Sequence, residues 1–298
     1  MKCIVSGGTG FLGRRLVSRL LAPENYVAIY TRNPGKQTQT AVHSYGWDPL
    51  SYDPPTESLN NYDVVFHLAG EPVAQRWNDA VKQRIYDSRV LGTRRLVDTI
   101  ARVQHRPTVL VCASAIGYYG NRGDEVLTES SSPGSGFLVD ACKAWEAEAD
   151  RASSLGLRVV KLRIGFVLGK DGGALATMVP AFKLGIGGKL GDGKQWMPWV
   201  HVDDVVNLFV HAAENEVRGV WNATSPNPVT NADFTHRLGH VLHRPTFLPI
   251  PEFALKIAFG EFARHMLDSA RVIPDAAIRA GFQFQFPEIG PALSNLLF

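Results

Sequence analysis

The first 165 residues alternate short apolar runs with stretches whose apolar residues recur at helical spacing. Most of the short runs are apolar without interruption, as in strands that are covered on both faces. This alternation predicts an α/β domain built on a parallel sheet with crossover helices. The predicted strands cover residues 2–6, 26–31, 63–68, 107–114 and 157–163, and the predicted helices cover about 11–21, 77–102 and 137–153.

The pattern changes after residue 163. Residues 165–193 are rich in glycine and surround one helix-like stretch, and residues 202–213 and 219–223 predict a further helix and a last strand. From residue 226 onward, short helices punctuated by proline replace the alternation. We therefore expect a large domain over residues 1–225 and a small C-terminal domain over 226–298, with residues 166–197 contributing in part to the smaller region.

The composition is that of a globular protein, since 45% of the 298 residues are hydrophobic and 20% are charged. The net charge is only +3 and the basic residues are scattered, which argues against a nucleic-acid or membrane partner. We expect neither a signal peptide nor the about 18 consecutive apolar residues of a membrane span. The cysteines Cys3, Cys112 and Cys142 are an odd number without CxxC spacing, which favours reduced thiols and a cytoplasmic location.

The segment SGGTGFLG at residues 6–13 joins the first predicted strand to the first helix. Without side chains there, a pyrophosphate can approach main-chain N–H groups at the helix N-terminus. We expect Gly7 to make the tight turn, Gly10 to admit the phosphate and Gly13 to let the helix pack closely. A purely structural turn is the alternative, but the strand–turn–helix context favours a dinucleotide site. The residues predicted to contact the cofactor here are Gly7, Thr9, Gly10, Phe11 and Leu12.

The tip of the second strand indicates which dinucleotide is bound. NAD sites usually place a carboxylate there to hold the ribose 2′-hydroxyl. This chain has Thr31 and Arg32 instead, and a guanidinium pairs with a 2′-phosphate. NADP(H) is therefore the predicted cofactor, with a merely solvated Arg32 as the alternative.

Two polar clusters have structural explanations. Asp203 is expected to cap a helix near Val205, and Asp204 to lie at its positive end. Four residues of a later helix have a spacing that could gather a metal, but a solvated face is the plainer account and we predict no metal site. These four are Asp233, His236, His240 and His243.

Several motifs together resemble the extended short-chain dehydrogenases/reductases, the group of sugar-nucleotide epimerases and dehydratases. They are GGTGFLG at 7–13, HLAG at 67–70, Ser114 after the next strand and VHVDD at 200–204. Further stretches resemble an atypical epimerase-family subgroup with a short extra C-terminal domain, some members of which are labelled cell-division-inhibitor-like. These stretches are ASAIGYYG at 113–120, LRIGFVLG at 162–169, GDGKQWMPWVHVDD at 191–204 and GFQFQFPEIGPAL at 281–293.

This resemblance implies a doubly wound (Rossmann) parallel sheet that binds NADP(H), with the C-terminal region closing over a small-molecule substrate. The turn of Leu68, Ala69 and Gly70 would pass beside the adenosine and pyrophosphate, with Glu71 next to it. Arg89 stands where the wider family has Asn, so its guanidinium either reaches the adenine or phosphates or is an exposed helix arginine. Many relatives form homodimers through two long helices of the nucleotide domain, and a homodimer is therefore also expected.

The resemblance also implies a catalytic serine, here Ser114, beside a Tyr-x-x-x-Lys pair, and this pair is missing. Counting back four positions from Lys143 gives Val139, whereas aligning Glu146 with the family places Leu138 and Cys142 at the two positions.

Three interpretations follow. Tyr118 or Tyr119 replaces the missing proton donor, Lys143 contacts the nicotinamide ribose without a tyrosine partner, or the protein does little redox chemistry. We therefore predict an NADP(H)-dependent oxidoreductase or epimerase acting on a small carbonyl or hydroxyl compound. The alternative is a catalytically weak NADP(H)-binding regulatory or scaffold protein, linked to cell division.

Overall fold

The structure is a computed structural model that describes residues 1–36 and 42–298. Its strands are β1 (Lys2–Ser6), β2 (Tyr26–Thr31), β3 (His43–Gly46), β4 (Val64–His67), β5 (Val109–Ala115), β6 (Val126–Leu127), β7 (Arg158–Ile164), β8 (Phe166–Gly169), β9 (Trp196–Met197), β10 (Trp199–His201), β11 (Gly219–Ala223), β12 (Val229–Thr230) and β13 (Arg271–Val272). Its α-helices are α1 (Phe11–Leu20), α2 (Asp79–Arg102), α3 (Phe137–Asp150), α4 (Gly173–Lys183), α5 (Val202–Glu214), α6 (Asn231–Leu242), α7 (Glu252–Phe259), α8 (Phe262–His265), α9 (Asp275–Arg279) and α10 (Ile289–Leu297).

The central sheet has the order β11-β7-β5-β4-β1-β2-β3, and every neighbouring pair in it is parallel. The chain starts at β1 and winds outward in both directions, which confirms the predicted doubly wound α/β fold. Helices α1 and α5 pack against each other, as do α2 and α3. The carboxyl ends of the strands therefore form one edge, where such folds bind their ligands.

The predicted strands agree closely with the observed ones where the run is short and apolar. Strands β1, β2 and β11 have the predicted bounds, and the bounds of β4, β5 and β7 differ by one or two residues. The edge strand β3 was not predicted, because its sequence HSYG has no apolar run and none of its residues is fully buried. No helix within residues 1–36 and 42–298 is long and apolar enough to cross a membrane.

A second hydrophobic core lies beside the sheet and joins residues from both sides of position 225. Leu175 and Phe182 of α4 and Trp199 of β10 pack there with Phe234 of α6 and Leu293 of α10. Helix α10 thus packs against α6 and β8. The predicted division at residues 225 and 226 stays a prediction.

The motif VHVDD ties the C-terminal segment to this core. The buried Asp204 carboxylate accepts the main-chain N–H groups of Gln285 at 2.8 Å and Phe286 at 3.0 Å, and burial raises the pKa of Asp204. The ring of His201 stacks on Phe286 with centroids 3.9 Å apart. The predicted cap at Asp203 is wrong: α5 begins earlier, at Val202, and the His201 ring accepts the Asp203 N–H as the N-cap.

Among the described residues, no three His, Cys, Asp or Glu side chains converge as metal ligands would. In the predicted histidine helix, Thr230 caps the N-terminus of α6 by accepting the N–H of Asp233.

Candidate functional site

The turn between β1 and α1, residues 7–10, forms a glycine cradle in which Thr9 alone carries a side chain. Gly7 has φ +69°, in the left-handed region that favours glycine, and a Cβ on it would lie 3.0 Å from Ala69 N. A Cβ on Gly13 would overlap the Gly7 carbonyl oxygen. The Gly10 N–H is used internally, donating to Gly7 O at 2.9 Å.

The N–H groups at the start of α1 have no partner within the helix, and Phe11 and Leu12 carry the first two of them. Thr9 and Gly10 are exposed beside them. Amides without a partner inside the helix, on a turn that admits no Cβ at Gly13, fit the pyrophosphate of a dinucleotide.

The Phe11 side chain is held from the opposite side by the turn between β8 and α4. Cβ atoms on Gly169 or Gly172 would overlap its ring. Arg14 and Arg15, next on α1, both pair with Asp171 of the same turn. We therefore expect a ligand to meet Phe11 through its main-chain N–H, with the ring serving to fix α1.

The turn after β4 borders this cradle. Ser6 Oγ accepts the N–H groups of Leu68 at 3.0 Å and Ala69 at 3.1 Å, which fixes the turn against Gly7. The side chain of His67, the last residue of β4, is fully buried and hydrogen-bonded to the same Ser6 hydroxyl.

Arg89 supports the same turn from α2. Its guanidinium donates to the carbonyl oxygens of Glu71 at 3.0 Å and Ile85 at 3.1 Å. The guanidinium carbon would lie 3.3 Å from a Cβ on Gly70, and it lies 5.2 Å from the centre of the Trp145 ring. Burial lowers the pKa of Arg89. The structure therefore places this charge directly beneath the turn at Gly70.

At the tip of β2 the Arg32 side chain is exposed, and the Thr31 hydroxyl accepts the Asn33 N–H at 3.2 Å. Arg32 comes directly after β2, and β2 pairs in parallel with β1, the strand that leads into the cradle. Its pairing with a 2′-phosphate stays a prediction.

Ser114 lies at the carboxyl end of β5, two strands along the sheet from the cradle. Its hydroxyl donates to Glu146 Oε1 of α3 at 2.6 Å. Arg163 of β7 donates two hydrogen bonds to the same carboxylate, Nε to Oε1 at 2.8 Å and Nη2 to Oε2 at 2.9 Å. All three side chains are nearly fully buried. Burial opposes the charge on Arg163, but Glu146 outweighs it and raises the pKa of the guanidinium.

The two candidate tyrosines differ in their surroundings. Tyr119 is fully buried, its hydroxyl lies 2.8 Å from Asn222 Oδ1 and 2.9 Å from the Thr128 carbonyl oxygen, and it accepts Arg163 Nη1 at 3.0 Å. Burial raises the pKa of Tyr119. Tyr118 is only half-buried, and the Arg163 guanidinium lies 3.3 Å from the centre of its ring. Tyr118 is therefore the tyrosine with the more accessible side chain.

Helix α3 turns one face toward Ser114. A Cβ on Gly117, just after β5, would lie 3.3 Å from Leu138 Cβ and 3.7 Å from Cys142 Sγ, and Glu146 follows one turn later. Leu138, Cys142 and Glu146 thus share the face of α3 that lies near the end of β5, and the alignment of this face with the family's tyrosine and lysine stays a prediction. Lys143 is exposed at the next position around the helix, so the structure does not bring it to Ser114. Its contact with the nicotinamide ribose stays a prediction.

The sequence reasoning missed the link from Ser114 through Glu146 to Arg163. One signal was present, because Arg163 is one of three basic residues, with Arg158 and Lys161, in a strand that is buried along nearly its whole length. A charge in such a strand needs a buried partner. That partner lies 17 residues away on a different element, and sequence alone does not choose it among the acidic residues of α3.

Comparisons with known proteins agree with the doubly wound fold. Residues 3–223 match the model of the NAD dependent epimerase/dehydratase family, and residues 250–296 match a domain of unknown function, DUF1731. The chloroplastic epimerase family protein SDR39U1 homolog of Arabidopsis thaliana is 41% identical, over 100% of this chain and 87% of that protein. Epimerase family protein YfhF of Bacillus subtilis is 36% identical, over 100% of this chain and 98% of its own length.

Solved structures give the same result. The crystal structure of human epimerase family protein SDR39U1 (isoform 2) with NADPH has a TM-score of 0.87 and 32% identity, over 99% of each chain. The UDP-glucuronic acid 4-epimerase of Bacillus cereus, at 16% identity and a TM-score of 0.81, shares the fold. The predicted subgroup with a short extra C-terminal domain is confirmed. The chain therefore belongs to the NAD dependent epimerase/dehydratase family.

Proposed function

We propose that this protein is an NADP(H)-dependent oxidoreductase or epimerase that acts on a small carbonyl or hydroxyl compound. The observation that carries the proposal is the placement of Ser114 on the same edge of the sheet as the glycine cradle, two strands away. A relative of 32% identity was crystallised with NADPH, which supports the choice of cofactor.

In this proposal the cofactor is held by groups from three strand ends. The N–H groups of Phe11 and Leu12 meet the pyrophosphate, and Arg32 with Thr31 meets the 2′-phosphate. The turn of residues 68–71 borders the adenosine side, with the Arg89 charge beneath it. When bound, the nicotinamide gives or accepts a hydride.

Within the site we assign the proton transfer to Tyr118 and the orientation of the substrate to Ser114. The Tyr119 hydroxyl is enclosed by Asn222, Thr128 and Arg163, which leaves Tyr118 as the neighbouring phenol with a half-buried ring. The Arg163 guanidinium stacks on that ring and holds it beside the end of β5.

The test is NADPH consumption with a panel of small aldehydes and ketones. A positioned acid contributes roughly 10²- to 10⁴-fold, so Tyr118→Phe should lower turnover by at least about 10²-fold while NADPH affinity is kept. Tyr26→Phe, which changes an exposed tyrosine at the far end of β2, is the matched control and should keep full turnover. Full turnover by the Tyr118→Phe protein would contradict the assignment.

One observation favours a second function, an NADP(H)-binding regulatory or scaffold protein, in cell division. Leu138 and Cys142 occupy the face of α3 where the family's tyrosine and lysine are expected, and neither is a proton donor of that kind. Tight NADPH binding by the parent protein, without turnover of any compound in the panel, would support this function over the first.

Two further expectations carry over as proposals. We place the protein in the cytoplasm, because Cys3, Cys112 and Cys142 are free and buried thiols. We also propose a homodimer formed through α2 and α3, which light scattering would detect as a mass twice the 32.7 kDa of the chain.

A further inference from the structure

The hydroxyl of Ser114 already uses its only hydrogen in a hydrogen bond within the protein. It donates to Glu146 Oε1 at 2.6 Å, a short bond to a carboxylate. A serine hydroxyl has one donor hydrogen and two acceptor lone pairs. While this bond is intact, a ligand that reaches Ser114 Oγ therefore meets lone pairs only.

The surroundings keep the bond intact. Arg163 fixes the Glu146 carboxylate through two hydrogen bonds, and the guanidinium is itself held by Tyr119 Oη at 3.0 Å and by the Tyr118 ring. Glu146 is 6% exposed and Arg163 3% exposed, so water has little access to replace the serine. Turning the Ser114 proton toward a ligand would remove one of the three hydrogen bonds that the buried carboxylate accepts, which is unfavourable.

We propose that Ser114 binds the substrate as a hydrogen-bond acceptor, so that the group bound at its Oγ is a hydroxyl and not a bare carbonyl oxygen. Glu146 is then a positioning residue, because it holds the serine hydrogen and leaves only the lone pairs of Oγ for the ligand. The inference rests on the proposed function, because it names the substrate class for that same site. A bare carbonyl oxygen has no hydrogen to offer and faces lone pairs at Ser114.

The test compares matched pairs of secondary alcohols and ketones that differ only at the carbinol carbon. Saturation-transfer NMR measures their binding to the full-length protein, the alcohols with NADPH and the ketones with NADP⁺, so that neither combination can react. We expect the alcohol of a pair to bind at least tenfold more tightly. Ser114→Ala should bring the two dissociation constants to within about twofold of each other.

Glu146 and Glu148 offer a matched pair of substitutions on one helix. Glu146→Gln should reduce the preference for alcohols, because a neutral amide oxygen accepts the serine hydrogen less strongly than a carboxylate and the amide NH2 can donate to Ser114 instead. Glu148→Gln removes a carboxylate that pairs with Arg94 of the neighbouring helix α2 and with Arg151, and it should leave the preference intact. A preference for ketones in the parent protein, no binding of any alcohol, or an unchanged preference in Ser114→Ala would overturn the inference.

Glu146→Gln leaves the buried Arg163 without its anion and can fail to fold, so a measurement on the parent protein stands beside it. Neutron diffraction of deuterated crystals locates the Ser114 hydroxyl deuteron. A deuteron directed at Glu146 Oε1 supports the inference, and one directed away from Glu146 overturns it. Turnover of ketones together with tighter ketone binding would overturn the acceptor role alone, whereas absence of both NADPH binding and turnover would overturn the proposed function.

Discussion

His67 Nδ1 lies 2.7 Å from Ser6 Oγ, and this contact joins the carboxyl ends of β4 and β1. Because Ser6 Oγ accepts two main-chain N–H groups, its own proton goes to His67 Nδ1. The ring hydrogen of His67 is therefore on Nε2, which lies 3.0 Å from Thr93 Oγ1. A neutral, fully buried imidazole thus helps to fix the turn that borders the glycine cradle.

The first prediction concerns acid stability. Burial lowers the pKa of His67 from its ordinary 6.5 to about 4, so the unfolded chain takes up a proton before the folded protein does. The contribution of the neutral ring to the free energy of unfolding is full above pH 6.5 and is lost as the pH falls to 4. The loss amounts to about 3 kcal/mol. Urea denaturation at pH 7, 6, 5 and 4 measures it.

His67→Gln should make that pH dependence shallower while lowering stability at pH 7, and the slope that remains comes in part from His201 and His211, whose pKa values burial also lowers. His236→Gln, which changes an exposed histidine of α6, is the control and should keep the parent slope. Equal slopes for the parent and His67→Gln proteins would show that His67 does not carry the effect.

The second prediction concerns the close contact of α1 with the glycine turn. A methyl group on Gly13 would overlap Gly7 O, which is main chain and cannot move aside. Gly13→Ala should lower the free energy of unfolding by about 1–3 kcal/mol and weaken NADPH binding as the cradle opens. Gly290→Ala adds the same group to α10, where the nearest atom would lie 3.9 Å away, and it should do neither. Guanidinium denaturation compares the three proteins, and a Gly13→Ala protein as stable as the parent would refute this packing.

The third prediction concerns the attachment of the C-terminal segment. Asp204→Asn replaces one of the two carboxylate oxygens that accept the Gln285 and Phe286 N–H groups by an NH2 donor. This should lower the free energy of unfolding by about 1–3 kcal/mol. Hydrogen exchange should then accelerate first in residues 281–298. Asp203→Asn, one residue away and half exposed, should leave that exchange unchanged. Equal protection of residues 281–298 in the Asp204→Asn and parent proteins would mean that this carboxylate does not hold the segment.

How much the sequence reveals depends on how local each feature is. The runs KCIVS and YVAIYT are strands by their own composition, and the glycine turn is recognisable from its own spacing between a strand and a helix, so both were predictable. The half-polar edge strand β3 depends on its neighbour β2 and was not. The Ser114–Glu146–Arg163 group joins three elements across 49 positions, and only the fold brings it together. The N-cap His201 was also missed, because aspartate is the more common cap and Asp203 lies only two residues further along the chain.

Calorimetric titration of cofactor-free protein with NADPH and NADH tests the central claim, that the glycine cradle and the tip of β2 bind a phosphorylated dinucleotide. NADPH should bind more tightly than NADH. Arg32→Ala should weaken NADPH alone, by about 1–3 kcal/mol, as expected when a charge-assisted hydrogen bond is lost. Arg19→Ala, an exposed arginine at the far end of α1, should have no effect. Tight NADPH binding that falls in the Arg32→Ala protein is the predicted result, and no heat with either dinucleotide would contradict the account.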